Sequence, residues 1–256
     1  MRRNAAAGRI RLEPDGLTDR GMVLFLDGAE QSHVDPEDPD FLLHDYTLRM
    51  AAALETLAPH PRPKVLHLGA GALTLPRWID HHRPQAEQVA VDLVPELMGF
   101  VLEHLPMDRP PRQVVADAAE VLDEGGALAA ERFDVVIVDL FNSAEAPASL
   151  TSPQFLSSLL EASPEGLVLM NLGDDPPMDF ARSLVSMVAE QMQHRWDHLI
   201  LSAPADVISA EAEGNLVLVA CPGDAMVEQA VDTLWARGPH PGEVLSGEDL
   251  HGWARG

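Results

Sequence analysis

Short alternating runs of apolar and polar residues open the chain. "RIRLEP", "GMVLFLDG" and "EQSHV", between residues 9 and 35, read as strands, with Asp27-Gly28 as the hairpin turn before the last. The acidic, proline-rich "DPEDPD" at residues 35–40 ends this piece. "FLLHDYTLRMAAALETLA" then carries apolar residues at helical spacing and stops before "PHPRPK".

From Lys64 the rhythm becomes strand, helix, strand, repeated. "KVLHLG", "QVAVDL", "PRQVVAD", "FDVVIVDLF" and "GLVLMNL" read as strands. Between them "LTLPRWIDHH", "VPELMGFVLEHL", a partly broken "AAEVLDEGGALAA" and "SPQFLSSLLEAS" read as helices, and "PPMDFARSLVSMVAEQM" follows as another. This alternation predicts a parallel sheet covered on both faces. "HLILSAP" and "GNLVLVACP" are joined by a polar loop without a crossover helix, so they are expected to run antiparallel. The expected fold is α/β, a class I SAM-methyltransferase-like Rossmann sheet with a terminal antiparallel hairpin and a small N-terminal β segment. The pattern divides the chain into that segment (1–40), the α/β domain (41–222), and a C-terminal helix, "DAMVEQAVDTLWARG", with a polar tail (223–256).

Composition narrows the partners. The 256 residues suffice for one large domain, and 46% of them are apolar, enough for a packed core. Against 17 Lys plus Arg stand 41 Asp plus Glu, a formal net charge of −24. Such a field repels nucleic acid and anionic membrane surfaces and attracts cationic ligands. No apolar run approaches membrane-spanning length and the first residues do not read as a secretory leader, so a cytoplasmic protein is expected. The single cysteine, Cys221, excludes an internal disulfide and any multi-cysteine metal site.

"VLHLGAGALTL" at residues 65–75 carries the first chemistry. Gly69 and Gly71 fit the start of a nucleotide-binding turn, but Thr74 stands where a dinucleotide fingerprint needs its third glycine. A nucleoside without a pyrophosphate suits the loop better. Asp92 ends the next strand 23 residues after Gly69, where a carboxylate can accept from ribose hydroxyls. Asp117 and Asp139 end the following two strands, so three carboxylates are expected at one edge of the sheet. His67 lies within a strand and His81-His82 at a helix end, where the two are expected to face different ways; no metal is expected. Arg77 is expected on the exposed face of its helix.

These residues resemble the polyamine aminopropyltransferases, the spermidine and spermine synthases, and in particular actinobacterial spermidine synthase-like proteins. The resemblance runs over roughly residues 22–220, through "LFLDGAEQS", "VLHLGAGA", "VAVDLVPEL", "VVADAAEVL" and "FDVVIVDLFNS". It implies an aminopropyl group moved from decarboxylated S-adenosylmethionine to an amine, without a metal, by a homodimer. Gln31 would contact the methylthioadenosine part of the donor, Asp92 the ribose, and Asp117 with Ala118 the adenine. Asp139 would be the base, and Tyr46 would border the acceptor site. Two departures stand out: Ala72 and Asn142 replace acidic residues that the family uses toward its cationic diamine. Residues 141–155 occupy the place of a gatekeeping loop. A methyltransferase using S-adenosylmethionine itself, and a nucleoside-binding homologue without turnover, remain open at this point.

Overall fold

A computed structural model describes residues 9–58, 60–141, 147–223 and 227–256. Asn142 and residues 143–146 of the expected gatekeeping loop fall outside the described residues.

The N-terminal segment is a three-stranded antiparallel sheet of β1 (Ile10–Pro14), β2 (Met22–Leu26) and β3 (Ala29–Val34). Asp27 and Gly28 both take positive φ, 52° and 88°, as a tight two-residue hairpin demands. Helix α1 (Asp45–Leu57) then leads into the main sheet.

That sheet has eight strands, in the order β11-β9-β10-β8-β7-β4-β5-β6. They are β4 (Lys64–Leu68), β5 (Glu87–Asp92), β6 (Arg112–Val115), β7 (Val135–Phe141), β8 (Leu167–Asp174), β9 (Leu199–Pro204), β10 (Gly214–Ala220) and β11 (Gly242–Ser246). From β6 to β8 neighbouring strands are parallel. β10 inserts between β8 and β9 and is antiparallel to both, the expected hairpin. The connecting helices are α2 (Thr74–His82), α3 (Leu97–His104), α4 (Ala118–Val121), α5 (Pro153–Ala162) and α6 (Asp179–Gln191). The loop before β10 contains one short turn of helix, α7 (Ala205–Ile208).

Two findings depart from the pattern. The segment after α8 (Val227–Arg237), expected as a polar tail, forms β11 and α9 (Gly247–Ala254). β11 pairs with β9 at the sheet edge, and an edge strand with one solvated face lacks the apolar run that marks buried strands. Arg77, expected on an exposed face, is only 6% exposed. Its guanidinium donates to the carbonyls of Leu105 and Pro106 where α3 ends.

The core explains why the strands read as continuous apolar runs. In β7, Val135 and Ile137 join the apolar cluster on one face of the sheet, and Val136 and Val138 the cluster on the other. Both faces are covered, so alternation disappears and β-branched residues fill the strand. A third cluster joins Ile10, Leu24 and Val34 of the small sheet to Ala70, Ala72 and Leu73 after β4. Burial of these side chains seats the N-terminal sheet on the glycine turn. Chain direction reverses at β4: β5 and β6 extend to one side, then the chain crosses back to β7 on the other. In an open α/β sheet, ligands bind outside the carboxyl ends of the strands at such a point.

Candidate active site

A cavity of about 430 Å³ lies at that switch point, beneath the small sheet. Of the expected residues, Gln31, Tyr46, Gly69, Gly71, Asp92 and Asp139 line it. Its floor is the glycine turn. Gly69 has φ +93°, and a Cβ there would lie 2.3 Å from the carbonyl oxygen of Asp139, so both backbone angle and space require glycine. Gly71, at φ +49°, passes under Ser32, whose Oγ accepts the Ala72 N–H at 2.7 Å. Thr74 Oγ1 donates to the His33 carbonyl at 2.6 Å, a second tie between the turn and β3. Asp92 closes the floor: its oxygens accept the N–H groups of Ala70 at 3.1 Å and Val94 at 2.9 Å.

Two strand irregularities aim side chains into this space. Leu24 pairs with Ser32 and Phe25 with Glu30, leaving Gln31 as an extra residue of β3. A β-bulge of this kind breaks the strict in-out alternation, and Glu30, Gln31 and Ser32 all line the cavity. In β7, Val138 pairs with Met170 but Phe141 with Leu172, so one extra residue falls at Asp139 and Leu140. Both of these also line the cavity.

Asp139 is the best-held group at the far end. Tyr46 Oη donates to its Oδ2 at 3.0 Å, and Asn171 Nδ2 donates to its Oδ1 at 2.9 Å. Burial raises the Asp139 carboxyl above the usual carboxylate range, although the hydrogen bonds from Asn171 and Tyr46 oppose the shift. Burial, the Asp139 charge and the shared hydrogen bond drive the Tyr46 phenol the same way, so it remains protonated. His44 stacks on Tyr46 with centroids 5.8 Å apart, and burial lowers its imidazole below the usual histidine range. His67 is pushed down to about 4 by burial, although a 2.9 Å hydrogen bond to Gln88 works against the shift. Among the described residues lining the cavity there is no Lys or Arg, while Glu30, Asp92 and Asp139 supply three carboxyl groups.

No protein-family model matches the chain. Along its sequence it is 26% identical over 234 residues to a polyamine aminopropyltransferase of Neisseria meningitidis, covering 87% of this chain and 81% of that protein. The chain is a relative of the polyamine aminopropyltransferases. In structure it is similar to a probable spermidine synthase from Corynebacterium glutamicum, with TM-score 0.80, 24% identity and coverage of 96% and 90% of the two chains. Human methyltransferase-like protein 13, solved with SAH, shares the fold at TM-score 0.57 and 18% identity, over 83% and 93% of the chains.

The remaining expected residues have other employments. Asp117 caps α4 by accepting the Ala119 N–H at 2.9 Å, and Ala118, the first residue of that helix, is buried in the core. Neither lines the cavity. Ala72, where an aminopropyltransferase usually has Asp, is fully buried under Ser32. The pattern missed Glu30, Ser32, His44 and Asn171. Asn171 had a signal, a polar amide inside the apolar run "LVLMNL".

Proposed function

We propose that the chain transfers an aminopropyl group from decarboxylated S-adenosylmethionine to a cationic amine acceptor. The observation that carries this reading is the charge of the cavity: three carboxyl groups line it and no described Lys or Arg does. S-adenosylmethionine itself brings a carboxylate, which needs a donor or cation beside the glycine turn. Arg77 is turned away into the carbonyls of Leu105 and Pro106, which weighs against methyl transfer.

The residues divide the work. Asp92 keeps lone pairs free for ribose hydroxyls while its two backbone donors fix its place. Gln31 faces the donor from β3. The acceptor arrives as an ammonium without a lone pair and gives a proton to Asp139. Its nitrogen then forms the new bond to the aminopropyl carbon, the carbon–sulfur bond breaks, and the electron pair leaves on neutral methylthioadenosine. A carboxyl raised toward the working pH suits this proton transfer. Asn171 Oδ1 is buried and has no partner, so it offers an acceptor for an amine N–H beside the base. Tyr46 and neutral His44 form the wall along which the amine must align for in-line attack. Glu30, at the bulge, supplies a carboxylate for a second ammonium where Ala72 cannot.

The test is methylthioadenosine release from decarboxylated S-adenosylmethionine across a panel of diamines and polyamines, with products read by mass spectrometry. Release that depends on one amine, with a product heavier by one aminopropyl group, supports the reading. Tight methylthioadenosine binding with no amine-dependent release would leave a nucleoside-binding relative without this reaction.

A further inference from the structure

Away from the cavity, two stretches of chain meet in a group of metal-ligating side chains. Asp40 ends the acidic turn before α1, and His81 and His82 close α2. The two histidines were expected to face different ways. Instead His82 Nε2 lies 2.5 Å from one Asp40 oxygen and His81 Nε2 3.9 Å from the other. The backbone leaves helical conformation just after them, at Arg83, with φ −133° and ψ 65°. One ligand atom from each residue lies within 4.8 Å of the others, and among the described residues only these three are so grouped.

We propose that Asp40, His81 and His82 bind a divalent transition-metal ion of the zinc or nickel kind. Two imidazoles are directed at one carboxylate, their rings 5.0 Å apart and perpendicular at 88°. Together they present ligand nitrogens beside an oxygen, a donor set that suits zinc, nickel or copper rather than magnesium or calcium. Tetrahedral zinc with bonds of about 2.0–2.2 Å places its ligand atoms roughly 3.3 Å apart. Asp40 and His82 need only separate slightly and His81 approach slightly, and side-chain exposures of 55%, 29% and 54% leave room for it. Trp78 packs on His82 at 4.4 Å between ring centroids and limits its rotation. The carboxyl end of α2 contributes negative potential at the same point. The ion ties the turn that leads into α1, which carries Tyr46, to the helix that follows the glycine turn.

The experiment is calorimetric titration of the untagged, chelator-treated full chain with zinc chloride and with nickel sulfate, alongside thermal melting with and without metal. We expect one ion per chain, a higher Tm with metal, and affinity reduced about ten-fold or more in Asp40→Asn and in His82→Ala. His104→Ala, at an exposed imidazole outside the group, is expected to bind like the parent chain. Circular dichroism of each variant establishes that it is folded. No saturable binding by the folded parent chain, or equal binding by folded Asp40→Asn and His82→Ala, would overturn the proposal. Aminopropyl transfer enters none of these readouts, so this site and the cavity reaction stand or fall separately.

Discussion

Asp92 and Asp139 leave the sheet from the same edge, on the two strands that flank β4, yet their oxygens meet different partners. Both oxygens of Asp92 accept backbone N–H groups, from Ala70 and Val94. Those of Asp139 meet a phenol and an amide, Tyr46 and Asn171, in a setting where burial raises its proton affinity. Backbone donors fix where a carboxylate sits, while burial among neutral groups raises the proton affinity of Asp139. Asp117, at the end of the strand beyond Asp92, accepts the Ala119 N–H and caps a helix. Position in the sheet brings a carboxylate to the ligand edge, and its immediate donors decide what it does there.

The largest expected effect tests the reactive member of the pair. Asp139→Asn keeps the shape and removes the base, so turnover should fall by about 10²- to 10⁴-fold in steady-state methylthioadenosine release. Methylthioadenosine affinity, measured by calorimetry, should change little; comparable turnover in the variant would erase the distinction between the two carboxylates. The same substitution carries a stability signature. Because the folded state raises the Asp139 carboxyl, its contribution to stability is present at low pH and lost as pH rises through the folded value. Asp139→Asn should therefore melt at a higher temperature than the parent chain at pH 8, with the gap closing toward pH 4.

Asp92→Asn comes next. An amide can accept one of the two backbone N–H groups, but its NH₂ opposes the other, at a cost of about 1–2 kcal/mol to the glycine turn. Methylthioadenosine should bind about ten-fold more weakly, while kcat at saturating donor stays near the parent value. A fall in kcat with unchanged affinity would mean that Asp92 belongs to the chemistry and not to the floor.

How much of this contrast the chain displays before folding depends on the kind of signal. The parallel strands were legible because burial on both faces leaves unbroken β-branched runs such as "FDVVIVDLF", and the glycine turn because Gly69 admits no side chain. Asp92 and Asp139 followed from strand ends. What separates them did not, because Tyr46 stands 93 residues from Asp139 in sequence and Asn171 stands 32. The bulge at Gln31, which turns Glu30, Gln31 and Ser32 to one side, is a register fact between two strands that no single segment announces. β11 was hidden for a simpler reason, since an edge strand that buries little carries little pattern.

The smallest effect probes the hydrogen bond that separates the two carboxylates most directly. Tyr46 donates to Asp139 and thereby favours its ionised form, partly offsetting burial. In Tyr46→Phe that donor is gone, so the Asp139 carboxyl rises further and a smaller fraction is ionised at any pH on the acid limb. The acid limb of kcat/KM should move to higher pH by about half a unit to one unit, the equivalent of one ordinary hydrogen bond. Above the limb the two profiles converge if Tyr46 acts only on the carboxylate, and run parallel with a constant deficit if the phenol also orients the amine. A limb that stays in place would show that burial alone sets the proton affinity of Asp139, and the contrast with Asp92 would then rest on desolvation without help from the hydrogen-bond donors.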